Sequence, residues 1–156
     1  MAQNIKHIDH VIWICHPENQ AQYVEKLAKL SEAKFHGPLE RGDLGVRIYI
    51  SWSSGLEIIA PLEKATIYSQ SLKDHLAKRG EGLLGVVFGV SNIEEARKRA
   101  MMLGYEVSPL IQNAGDEPYV DETEVMKEIM VGDFMNSLFV FGEIKYAKGV
   151  TQIIGD

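Results

Sequence analysis

The chain repeats itself, and the repeat changes one residue. Residues 8–16, Ile-Asp-His-Val-Ile-Trp-Ile-Cys-His, form an apolar run that leads into a helix-like stretch; residues 83–91, Leu-Leu-Gly-Val-Val-Phe-Gly-Val-Ser, do the same. Superimposed, His10 falls on Gly85. The Pro38-Leu39 pair matches Pro109-Leu110, with an offset shorter by about one helical turn, so the first helix is the longer one. A tandem strand–helix module builds two similar walls around a shared pocket, and losing a histidine from one wall leaves that pocket asymmetric.

Residues 6–15 read as a strand apolar on both faces, and Pro17-Glu18 opens a helix to about Ala33 with an apolar stripe of Tyr23, Leu27 and Leu30. Residues 34–38 read as a short strand. Residues 45–52 alternate, with Val46, Ile48, Ile50 and Trp52 on one face and Arg47, Tyr49 and Ser51 on the other. After a Ser53-Ser54-Gly55 turn, residues 56–61 form the next strand, ended by Pro61. A helix over 69–79 connects the halves. The second half then gives a strand at 83–90 and a helix to Leu103, with Ser91 and Glu94 as a capping box and Gly104 as its stop. Strands follow at 105–110, 126–131 and 137–147, with a turn at 132–136. The acidic stretch 112–125 is a lid or a solvated surface loop.

This order predicts an α+β fold: two tandem βαβββ modules, 5–62 and 83–147, joined by a helical connector, 63–82, within one domain over 1–156. A net charge of −6 argues against a nucleic-acid or anionic-membrane partner. No apolar stretch is long enough to span a membrane, and the first residues hold no apolar signal core. The single cysteine, Cys15, lies in an apolar run and reads as a buried small hydrophobe; its lack of a disulfide partner fits a cytoplasmic protein.

The marks Ile8-Asp9-His10-Val11, then Gly55 to Pro61, then Gly82 to Ala96, in that order and spacing, resemble the vicinal oxygen chelate superfamily: glyoxalases, methylmalonyl-CoA epimerases, extradiol dioxygenases and bleomycin-resistance proteins. The resemblance implies a cup-shaped mixed sheet, a homodimer, and metal ligands at four inward positions. Two of these match His10 and Glu57; a third falls on Gly85, which ligates nothing. The fourth is ambiguous between Phe141, by strand counting, and Glu143, which shares its face.

His10 interrupts an apolar strand face and Glu57 interrupts another, so both read as pocket residues. With Glu143 they form a catalytic and metal-binding set of one histidine and two carboxylates, suited to zinc, manganese, iron or nickel; without it, His10 and Glu57 pair as acid and base. Gly85, with Gly89 on its face, is either a close backbone contact or room for a bulky ligand. Phe139 and Phe141 are candidates to stack on a planar substrate, and Arg47 and Tyr49 to hold its carboxylate or phosphate, core packing or a solvated strand face being the alternatives. No phosphate-cradling loop is present, so no nucleotide cofactor is expected. The expected function is an enzyme acting on a small oxygenated metabolite by lyase, isomerase or dioxygenase chemistry. The alternative is a non-catalytic small-molecule binding protein of the bleomycin-resistance type.

Overall fold

A computed structural model describes residues 5–150, with side chains from His7 onward. Residues 1–4, part of the segment read as lacking a signal core, lie outside that range. The described residues hold eight strands and three α-helices. They form two compact units: residues 5–11 with Leu84–Val150, and Ile12–Leu83. Strand β1 (Ile5–Ile14) starts in the former and ends in the latter.

In the unit Ile12–Leu83 the strand order is β2 (His36–Arg41), β3 (Val46–Ser51), β4 (Leu56–Pro61), then the end of β1. β3 and β4 form a hairpin that pairs Ile50 with Glu57 and Arg47 with Ala60. Its turn works because Gly55, at φ 64°, takes the left-handed conformation and returns its N–H to the Ser51 carbonyl. Helix α1 (Gln20–Ser31) follows a 3-10 turn at Pro17–Asn19. The expected stripe is rotated in part: Leu27 packs against the core cluster, but Tyr23 and Leu30 are exposed. Val24 packs with Cys15, Ile58 and Ala60, and Gln20 is fully buried, whereas Leu30 is 85% exposed.

Gln20 explains the rotation. Its amide donates to the Arg47 and Ile58 carbonyls at 2.9 and 3.0 Å and accepts from Arg47 Nε at 2.6 Å. A polar residue that pins a helix to two strands overrides the apolar pattern. Helix α2 (Ile67–Arg79) starts at a capping box made by Thr66 and Ser69, two residues before the predicted start, and buries Leu72 and Leu76.

In the other unit β1 is followed by β5 (Gly82–Val90), β8 (Ser137–Tyr146), β7 (Thr123–Phe134) and β6 (Ile111–Gln112). β5 and β8 run parallel, which the intervening helix α3 (Ile93–Met102) makes feasible. The two modules therefore share one strand order, as the repeat predicts. α3 packs Ile93, Ala96 and Ala100 on Ile129, Val131 and Phe141.

Three local expectations are corrected. The cap of α3 is Asn92, whose side chain accepts from the Glu94 and Glu95 N–H groups, not Ser91. The strand expected at 105–110 is not a strand: Ser108 bonds Met130 of β7 through its N–H and hydroxyl, and the pairing strand is the short β6. Gly132 does not begin a turn: it sits at a register shift inside β7, and the hairpin turns at Met135 and Asn136, both with positive φ. The acidic segment is folded around buried Glu117 and Tyr119, with Glu117 accepting from the Ala114 and Gly115 N–H groups.

Candidate active site

Strand alternation decides which predicted residues can meet. In the unit that ends at Val150, Phe139 and Phe141 pack with the α3 cluster, so odd positions of β8 face that helix. Glu143 follows the same parity: its Oε2 accepts from the Ile93 N–H at 2.9 Å, at the start of α3. A carboxylate there complements the helix dipole and an orphan donor. Glu143 is thus occupied as a helix anchor rather than placed as a ligand beside His10. Phe139 stacks on Phe88 with centroids 4.3 Å apart and meets Phe141 edge-on at 5.1 Å, so both rings belong to the core cluster.

Gly85 is also filled by the protein. A Cβ there would lie against the Leu138 carbonyl oxygen and 2.8 Å from Leu138 Cβ. This is the close-approach reading of the glycine; there is no room for a ligand. A Cβ on Gly89 would meet the His7 ring at 3.0 Å. In the unit Ile12–Leu83, Arg47 spends its Nε on Gln20 and an Nη2 bond of 2.7 Å on the Pro17 carbonyl, so it braces α1. Tyr49 packs beside the Cys15–Ile58 cluster. Neither fits the substrate-anchoring role expected of it. Glu57 is buried on β4, and by alternation it faces away from the α1 side that Ile58 and Ala60 occupy.

His10 is where chemistry gathers. It is 5% exposed. Its Nδ1 lies 2.7 Å from Asp9 Oδ1, and the Tyr146 hydroxyl donates to that same oxygen at 2.7 Å. His7 Nε2 stands 3.8 Å from Asp9 Oδ2. Burial alone would raise the Asp9 pKa; the His10 hydrogen bond and charge and the Tyr146 hydroxyl outweigh it, and the net direction is down. Asp9 is therefore an ionised acceptor. An ionised carboxylate has no proton to give, so the hydrogen of this bond is carried by His10 Nδ1. Nε2 points toward Glu128 Oε1 at 3.8 Å, too long for a direct hydrogen bond.

Asp9, Glu128 and Tyr146 escaped the sequence reading. Asp9 was visible as the neighbour of His10. Glu128 carried the signal that drew attention to Glu57, a carboxylate between apolar same-face positions, here Met126 and Met130. Tyr146 lies at the very end of β8 and had no sequence signal.

No family model and no curated protein matches the sequence. Solved structures do match in fold. Methylmalonyl-CoA epimerase from Mycobacterium tuberculosis is similar with TM-score 0.63 and 18% identity, covering 92% of this chain and 91% of that one. A Streptomyces coelicolor methylmalonyl-CoA epimerase in complex with 2-nitronate-propionyl-CoA gives 0.63 and 19% identity, over 89% and 97%. A hypothetical protein from Bacillus halodurans gives 0.63 and 21%, over 88% and 94%. The fold is that of the vicinal oxygen chelate superfamily. Among the described residues no three His, Cys, Asp or Glu side chains gather to hold a metal ion. His10 and Glu128 offer one nitrogen and one carboxylate, and neither Gly85 nor Glu143 adds to them. These two donors alone are fewer than the three protein ligands of a catalytic zinc site. Among the described residues no helix is long and apolar enough to cross a membrane.

Proposed function

We propose that the chain is an isomerase-type enzyme that moves a proton at a carbon next to a carbonyl, with His10 as the acid–base group. The observation that carries this is the Asp9–His10–Glu128 line. One ring nitrogen is held by a carboxylate at 2.7 Å, and the other stands 3.8 Å from a second carboxylate. In the step, Nε2 takes the proton from the carbon and the ring becomes a cation. Asp9 and Glu128 stabilise that cation, and the pair of electrons left behind moves onto the substrate carbonyl. Return of the proton from Nε2, or from Glu128 if it enters the step protonated, gives product; delivery to the opposite face of the carbon inverts it.

The structural neighbours named as epimerases of an acyl-CoA support a small oxygenated substrate of the acyl-thioester class. Glu57 is retained as a proposed contributor on the strength of the resemblance. The binding-protein alternative loses its main support, because the bare wall at Gly85 is closed by Leu138.

The test is solvent exchange. In deuterium oxide, the parent protein incorporates deuterium at the α-carbon of methylmalonyl-CoA or another 2-substituted acyl-CoA, read by mass spectrometry, and His10→Ala does not. Exchange by His10→Ala at the parent's rate, or by no member of such a panel with the parent, overturns the proposal.

A further inference from the structure

Of the stripe Tyr23, Leu27 and Leu30 on α1, Leu27 packs against the core cluster while Tyr23 and Leu30 stay exposed. With Trp13, Ile58 and Cys15 the three line a cavity of about 420 Å³ within the unit Ile12–Leu83. That volume suits one small molecule and no helix or strand of a partner. Two charges stand on its wall, Glu81 and Lys26.

They are held differently. Glu81 is fixed: Oε1 accepts from the His16 N–H at 2.9 Å and from Asn19 Nδ2 at 2.8 Å, and Oε2 accepts from the Tyr23 hydroxyl at 2.6 Å. The hydrogen bonds from Asn19, Tyr23 and His16, in that order, hold its pKa down at about 2. It is an anion at any working pH, and Oε2, with one donor, retains acceptor capacity. Lys26 is exposed and rests its ammonium 6.0 Å from the centroid of the Tyr23 ring. A cation thus already sits at the edge of reach of the Tyr23 ring face. Cys15 supplies only apolar surface, because burial pushes its thiol up to about 12.

We propose that this cavity binds a small apolar molecule bearing a protonated amine, its ammonium at Glu81 Oε2 and Tyr23 and its apolar body against Trp13, Leu27 and Ile58. The ligand's ammonium takes the place over Tyr23 that Lys26 holds in the free protein. Lys26 then moves to solvent. The site stands independently of the chemistry proposed for His10.

Phenethylamine, 3-phenylpropanoate and ethylbenzene have similar bodies and differ in charge, so they separate the terms. Trp13 reports binding in a Trp52→Phe background. The amine binds at least about tenfold tighter than the carboxylate, the worth of one charge-assisted hydrogen bond. Lys26→Met tightens the amine. Glu81→Gln weakens the amine and leaves ethylbenzene unchanged, which also shows that this variant keeps the cavity. Leu27→Trp, which fills the cavity, removes all three, and circular dichroism confirms its fold. Tighter binding of the carboxylate, no binding of any probe to the parent, or undiminished binding to folded Leu27→Trp overturns the proposal.

Discussion

The carboxylate of Asp9 holds the Nδ1 edge of His10 at 2.7 Å, and both side chains are almost wholly out of solvent. With Nδ1 held there, Nε2 is the nitrogen proposed to exchange a proton with substrate. His10→Ala is therefore expected to lower turnover by about 100- to 10,000-fold, the range of a lost acid–base group, at nearly unchanged KM. Steady-state kinetics on a turned-over acyl-CoA check it.

Asp9→Asn tests the orientation separately. An amide at that place can present its oxygen or its NH₂ to Nδ1, so the tautomer is no longer fixed. A loss of about 10- to 100-fold is expected, with the pH–rate profile shifted because the imidazolium has lost its charge partner. Tyr146→Phe removes only one donor to Asp9 and should cost less. Equal losses for Asp9→Asn and Tyr146→Phe, with unshifted profiles, contradict the positioning role.

Two residues expected to handle substrate should behave as structural ones. Arg47→Met strips the partners from Gln20 and Pro17, and the loss is expected in stability, about 1–3 kcal/mol, and not in KM. Glu143→Gln weakens the anchor of α3 by about 1 kcal/mol and leaves turnover intact. Urea denaturation beside kinetics separates the two readings in each case.

Gly85 gives the sharpest packing prediction. Any side chain there collides with the Leu138 backbone across the parallel β5–β8 pair. Gly85→Ala is expected to cost about 1–3 kcal/mol, and Gly85→His, which would restore the missing ligand of the superfamily pattern, to cost more and create no metal site. A folded Gly85→His protein that gains one equivalent of zinc contradicts this.

Glu81 sets part of the acid stability. Its folded pKa, about 2, is below the ordinary 4.5. A depressed carboxylate stabilises the fold above its unfolded pKa, and that contribution is lost as pH falls from about 4.5 through about 2. Asp9 acts in the same direction. Melting temperature against pH should fall less steeply in that window for Glu81→Gln than for the parent.

The module order was legible because strand and helix periods differ and the repeat showed them twice; β4 was read to the residue. What escaped were features set by tertiary partners. Gln20 turned α1 so that only Leu27 of its stripe reaches the core, and the register shift near Gly132 carried β7 past an apparent turn. For the site, His10 was legible as a histidine on an apolar face. Glu143 misled because parity alone does not say which face of a strand looks toward a helix. Asp9, one residue from His10, was passed over because neighbouring strand residues nominally point apart, yet here their side chains bond.

Nitrogen-15 NMR of the histidine rings tests, without a substrate, whether Asp9 holds the His10 proton on Nδ1. The signal is assigned by its loss in His10→Gln. A neutral His10 with its proton on Nδ1 is expected. A neutral His10 protonated on Nε2 would contradict it, since that ring would donate toward Glu128 and have no basic nitrogen on that side.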